Sequence, residues 1–367
     1  MIQKAKNKEF NFVFSKPMEF MYALIATSLM DVFIKDEDES IIKSEKKLIS
    51  IIENMKSKLS RYTKSELQYF FHINVDFCSG IGQLIFMGYL KENPEVDTIE
   101  KMIKAIEKSD TYTMLSYVVE SVFYENQNKS IRDVYEWDDI RNNLSEMLEI
   151  VKKLQFYDKD MKEKVIECIE NAEETKQRYC VLLKLFYEKV YKPIEGEVYD
   201  LVDHSIKEYE SEFNNDPVKF CRNYFAKDIN VFAPKVYIHL SYFRFAGSDY
   251  WSSRLLKEKP EWICLGSATM KYCGKESNKE SVLDFLKAVS DRKRMDIIEF
   301  LAEGPRYVNE VAEKIGMSAA TTSYHLTTLQ QLGIVDFERY DHRFYYHLNK
   351  DKLKELFNEA MKAFMHE

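Results

Sequence analysis

Two short amphipathic stretches separated by Gly316-Met317-Ser318 constrain this chain more than any other feature. The first runs from Val308 to Ile315 and stops at a glycine, the residue that most readily takes the left-handed turn ending a helix. The second restarts at Ser318, whose hydroxyl suits an N-cap, and runs to Leu332 before Gly333 closes it. So short a connection forces a sharp corner, the mark of a helix-turn-helix. In the second helix Thr322, Leu326 and Leu329 follow i, i+4, i+7 spacing and form a core face. Thr321, Tyr324, His325 and Thr328 then lie largely outward, with Ser318 and Ser323 beside them. Hydroxyls and an imidazole can donate to or accept from base edges in a major groove, and threonine methyls can touch thymine. No Asp or Glu falls between Lys314 and Asp336, so nothing acidic on this helix repels phosphate.

The flanking residues extend the pattern. Helices are expected over Ser281–Ser290, with Val282, Phe285, Leu286 and Val289 on one face, and over Arg292–Glu303, closed by Gly304-Pro305. After the second helix of the corner come two strands, Ile334–Arg339 and Arg343–Leu348, joined through Tyr340-Asp341-His342. A final amphipathic helix begins at Asp351 and carries Leu353, Leu356, Phe357, Ala360 and Phe364 on one side. Such a hairpin would bring Arg339, His342 and Arg343 to a nucleic-acid backbone or minor groove, and Arg292, Lys293 and Arg294 are further candidates for phosphate contact.

The opening LKAVSDRKRMDIIEFL, the helix MSAATTSYHLTTLQQLGIV and the following hairpin fall in the order of the ArsR-type winged-helix transcriptional regulators, which residues 281–365 resemble. The upstream part, from FSKPMEFMYALIAT onward, resembles the long helical N-terminal extension of a subset of these regulators. The resemblance implies a homodimer that pairs through the first and last helices of the winged domain. It also implies recognition of a palindromic operator in double-stranded DNA. Metal sensing is not implied. Metal-sensing members place a Cys-x-Cys pair in the helix before the recognition helix, where this chain reads YVNEVAEKI. The last helix offers Asp351 and His366 without the paired spacing of the other familiar metal site.

The remainder reads as a mainly α protein. Only 7 prolines and 10 glycines punctuate 367 residues, and 24 Tyr with 24 Phe supply ample material for packed cores. Residues 1–228 are expected to form a large helical domain serving as sensor or interaction module. Pro17 opens its first helix, Thr63 begins a third with Glu66 as a capping box, and 160–191 is the longest candidate helix. Breaks are expected at Gly80 and from Gly88 to Pro94, among other places. Residues 10–14 alternate as a short strand. Residues 229–273 change texture: 235–245 and 261–267 read as a β-hairpin or strand pair packing on the helical domain. Residues 274–280 form a polar linker, and 281–367 the winged helix-turn-helix that binds DNA and dimerises.

A net charge of −8 limits any DNA contact to a local face. Six cysteines without CxxC spacing read as scattered reduced thiols, with Cys264 and Cys273 as packing residues rather than ligands. The isolated histidines His72, His204 and His239 read as structural. Neither a secretory signal nor an apolar membrane span is legible, so a cytoplasmic protein without membrane contact is expected. No catalytic, metal or cofactor motif stands out. The expected function is therefore a DNA-binding transcriptional regulator. Its aromatic N-terminal domain either simply packs as core or also holds a small-molecule effector. The alternative is an interaction scaffold whose winged helix contacts protein.

Overall fold

The computed structural model describes residues 8–33, 46–72, 80–127, 129–156, 159–225, 227, 229–251, 260–270, 279–340 and 343–365. The chain divides into two compact units, Met1–Gly274 and Lys275–Glu367.

In the first unit, β1 (Glu9–Val13) leads into α1 (Lys16–Phe33), and a helical body follows. Its members are α2 (Lys46–Ser57), α3 (Arg61–Phe71), α4 (Ile81–Glu92), α5 (Ile99–Lys108), α6 (Thr111–Gln127), the single turn α7 (Trp137–Ile140), α8 (Leu144–Lys153), α9 (Lys159–Glu170) and α10 (Ala172–Phe186). Two further helices, α11 (Glu195–Asn215) and α12 (Pro217–Phe225), precede strands β2 (Lys235–Ser241), β3 (Ser248–Trp251) and β4 (Glu261–Gly266). The strand pair expected from the sequence belongs to a four-stranded sheet in the order β1-β2-β4-β3. The strand at the N-terminus pairs parallel with β2 across more than 200 residues of sequence (Glu9 opposite Lys235), β2 pairs parallel with β4, and only β3 runs antiparallel. Parallel strands covered on both faces read as continuous apolar runs, and all of β4 is buried. Its alternate residues enter different cores. Trp262 and Cys264 join the helical body, while Ile263 and Leu265 pack with Phe220, Tyr224 and Tyr209 of α11 and α12. Burial pushes the Cys264 thiol well above its ordinary range.

Three local expectations for the helical body differ from the structure. The span 160–191 is interrupted: α9 ends at Glu170, Asn171 leaves helical geometry, α10 follows, and a π turn occupies Tyr187–Tyr191. Apolar periodicity registers a common buried face but not a one-residue break in the hydrogen-bond ladder. No break occurs at Gly88, which lies inside α4. There a Cβ would come within 2.2 Å of the Tyr117 ring, so this glycine serves close helix approach. Finally, α3 is capped by Ser60, whose Oγ accepts the Thr63 amide, and Glu66 instead takes both an Nε and an Nη hydrogen of Arg178.

A polar seam centred on the buried Glu19 and His239 ties α1 to the sheet. The Ser15 amide donates to His239 Nδ1 at 3.1 Å, so Nε2 carries the ring proton and donates to Glu19 Oε2 at 3.0 Å. Glu19 Oε1 accepts the amides of Tyr242 and Phe243 at 2.9 and 3.2 Å. Of the isolated histidines, His239 is thus structural, whereas His204 lies 85% exposed. Replacing Glu19 with Ala strands three buried donors and should destabilise the first unit by about 3–5 kcal/mol. Glu19→Gln, which retains an acceptor, should cost roughly half as much. Urea unfolding of the two variants checks this. An Ala variant unfolding at the parent's midpoint would refute the anchoring role.

The second unit contains α13 (Lys279–Ser290), α14 (Arg292–Ala302), β5 (Arg306–Tyr307), α15 (Val308–Ile315), α16 (Ala319–Gln331), β6 (Val335–Tyr340), β7 (Arg343–Leu348) and α17 (Lys350–Met365). Its core gathers Phe285, Ile297, Leu301, Val311, Leu326, Leu329 and Ile334. The strands form a sheet in the order β5-β7-β6. Strand β5 is too short for sequence periodicity to register.

Candidate nucleic-acid interface

The corner forms as its residues dictate. Gly316 adopts φ 71°, and the Met317 amide reaches back to the Ala312 carbonyl at 3.0 Å, closing α15 with a Schellman-type bond. Ser318 then caps α16, its Oγ accepting the Thr321 amide at 3.1 Å and lying 2.8 Å from the Thr321 hydroxyl. Thr322, Leu326 and Leu329 are fully buried, and this anchors the roll of the helix. The Thr322 hydroxyl donates to the Ser318 carbonyl, so its burial leaves no unpaired polar group.

That roll leaves Tyr324 66% exposed, the most open large side chain of the helix. Thr321 and Ser318 are exposed beside it, although each hydroxyl is engaged with the other. Ser323 and Thr328 are half-buried, and the Thr328 hydroxyl donates to the Tyr324 carbonyl. Thr327 is also exposed. It went unmarked in the sequence reading, although it lies three residues beyond Tyr324 and therefore on the same face.

His325 does not lie outward. Only 12% of its side chain is exposed, and the ring turns toward Asp291, the N-cap of α14. Its position explains this: His325 is three residues after Thr322 and four before Leu329, so it borders the buried stripe rather than the open face.

The hairpin pairs Arg339 with Phe344 and Tyr340 with Arg343, so both positions lie next to the connection. His342 lies outside the described residues. The basic start of α14 is largely committed within the unit. Lys293 Nζ donates to the Ile315 carbonyl at 2.8 Å. Arg294 Nε and Nη2 donate to the carbonyls of Ala288 and Lys287 at 2.7 and 3.1 Å. These side chains cap the carbonyl ends of α15 and α13 instead of lying free for phosphate, and only Arg292 remains exposed without such a bond. A second open surface is apolar. On α17, Phe357, Met361, Phe364 and Met365 are 46–68% exposed at i, i+4, i+7, i+8.

Replacing Arg294 with Ala should therefore lower the unfolding free energy of this unit by about 1–2 kcal/mol. Arg292→Ala should change it by less than about 0.5 kcal/mol. Equal effects in thermal or urea unfolding would contradict these assignments.

Residues 291–336 match the family model described as bacterial regulatory protein, arsR family. A cadmium resistance transcriptional regulatory protein CadC homolog of Staphylococcus aureus is 37% identical over 93 residues, covering 25% of this chain and 74% of that protein. The transcriptional repressor SdpR of Bacillus subtilis is 32% identical over 72 residues, covering 20% of this chain and 80% of that protein. Among solved structures, a homodimeric winged helix-turn-helix domain from Mycobacterium bovis is 29% identical. It covers 23% of this chain and 79% of that one, with a TM-score of 0.21.

Proposed function

The chain belongs to the arsR family of bacterial regulatory proteins, and we propose that it reads a palindromic operator in double-stranded DNA as a homodimer. One observation carries the reading of DNA. A helix whose opposite face is locked by Thr322, Leu326 and Leu329 presents Tyr324, Thr321 and Thr327 to solvent, on a surface free of carboxylates from Lys314 to Asp336. In this reading Tyr324, Thr321, Thr327 and Thr328 meet base edges. Ser318 and Ser323 contribute at the margin, and Arg339, His342 and Arg343 hold the backbone. Two-fold symmetry would set the paired recognition helices about 34–36 Å apart.

Operator selection with variants tests the assignment. Tyr324→Ala should change which sequences are selected. Arg343→Ala should weaken all sequences alike and reduce the log–log salt slope by about one per subunit. A Tyr324→Ala chain that keeps the parent's preference would overturn the base-reading role. Binding insensitive to both changes and to salt would transfer the winged helix to protein recognition.

The apolar face of α17 supports the homodimer. Four large hydrophobic side chains exposed along one face of α17 form an apolar stripe that an isolated protein rarely presents to water. Phe364→Glu should convert the dimer to monomer at micromolar concentration in sedimentation. A parent chain that sediments as a monomer there would refute the dimer.

To the helical first unit, which lies outside the family match at residues 291–336, this reading gives the sensing of a non-metal signal or the shaping of the dimer. The helix VNEVAEKI ahead of the recognition helix has no thiolate to offer. Zinc or cadmium should therefore leave operator binding unchanged in a mobility-shift titration, and stoichiometric release by either ion would contradict this.

A further inference from the structure

The corner between α2 and α3 gathers positive charge in a chain whose acids outnumber its bases, 61 to 53. No Asp or Glu falls from Asn54 to Ser65, and Lys56, Lys58, Arg61 and Lys64 stand within that stretch. The backbone there is held firmly. The Lys58 and Leu59 amides reach back to the Met55 and Lys56 carbonyls at 3.2 and 3.3 Å, and Ser60 then caps α3. Met55, Leu59, Thr63 and Leu67 are buried, which leaves Lys58, Arg61 and Lys64 exposed on the open side of a fixed turn. Tyr62 is 52% exposed among them.

Elsewhere on the first unit, exposed bases meet acids: Lys47 pairs with Glu197, Lys101 with Asp97 and Lys207 with Asp203. The acids bounding the corner do not serve it in this way. Glu66 is spent on Arg178, and Glu53 is exposed on α2. Among the described residues, no carboxylate pairs with Lys58, Arg61 or Lys64. Arg61 opens α3, whose first turn holds no acid, at the helix end where the macrodipole disfavours a cation. Like charges held together on one rigid turn repel each other, and a polyanion relieves that repulsion.

We propose that this corner is a second DNA-contacting surface, which grips the phosphate backbone of duplex flanking the operator while the winged unit reads the operator itself. The inference rests on the DNA-binding reading above. Lysine and arginine donate charge-assisted hydrogen bonds to phosphate oxygens, and the Tyr62 hydroxyl adds a neutral one. Such contacts carry no sequence information, so the corner contributes affinity and salt dependence but no choice of site. Double-stranded DNA is the favoured occupant because the chain tethers this surface to whatever duplex the winged unit holds, which raises the local concentration of phosphate around it.

The test uses the full chain and a duplex that the wild type enriches from a random-sequence pool. One version ends at the outer edges of the protected half-sites, and the other continues well beyond them. Wild type should bind the long version more tightly, with a log–log salt slope steeper by about two to three per subunit. The triple variant Lys58→Gln, Arg61→Gln, Lys64→Gln should lose that increment and bind the long duplex about tenfold more weakly at low salt. It should match wild type on the trimmed duplex, select the same sequences and keep the same thermal unfolding midpoint. A control variant, Lys104→Gln, Lys108→Gln, Lys153→Gln, removes equal charge from exposed positions on α5 and α8 and should bind both versions as wild type does. Equal wild-type slopes on the two versions, an equal loss in the control, or an equal loss on the trimmed duplex would overturn the proposal alone. So would unchanged DNA binding in the corner variant, and loss of the dimer in sedimentation alongside it would give the corner to a second copy of the chain. Failure of the wild type to enrich any duplex would overturn the DNA-binding reading and this inference with it.

Discussion

A helix of eight residues has almost no interior. Its first four amides and last four carbonyls lack partners within the helix, and in α15 those two sets account for half of the backbone groups. The winged domain depends on how such ends are satisfied. Glu310 returns to the Tyr307 amide, the Met317 amide reaches Ala312, and Lys293 arrives from α14 to take the Ile315 carbonyl. Arg294 does the same for the end of α13, and Asp291 caps the start of α14. Charged side chains that a linear reading assigns to solvent or phosphate are in this way spent on helix ends. The recognition helix inherits its orientation from that set of caps together with the burial of Thr322, Leu326 and Leu329.

The first unit meets the same constraint with a buried carboxylate. Glu19 sits in the first turn of α1 with no exposed surface, where a charge is tolerated only when every lone pair finds a donor. His239 and the amides after β2 supply those donors. Around the same end of the sheet, Tyr22 donates to Asp249, Trp251 donates to Tyr22 and Arg244 pairs with Asp249. The bonds of Glu19 and Tyr22 join segments more than 200 residues apart. They fasten α1 to strands formed near the other end of the unit, so the sheet and the helical body share one folded unit.

The recognition surface separates into parts of different physical kind. Tyr324 and Thr327 are open and available for contact. Ser318 and Thr321 are open but already bonded to each other, so they must exchange a partner to touch a base. His325 faces inward. On the proposed reading, α16 devotes only part of its polar surface to DNA and the rest to holding its own geometry.

In the winged domain the sequence by itself determined the order of the helices and the hairpin, the corner and the buried stripe of α16. Those signals are local: a glycine that alone takes a positive φ cheaply, a hydroxyl three residues before an unpaired amide, apolar residues one helical turn apart. Tertiary structure alone decided the parallel pairing of β1 with β2, the glycine at 88 beneath Tyr117, the pairing of Glu66 with Arg178 and the inward turn of His325. Each of these depends on a partner distant in sequence or on a neighbouring helix. Periodicity records which face of an element is buried, but it carries no information about what waits on the other side.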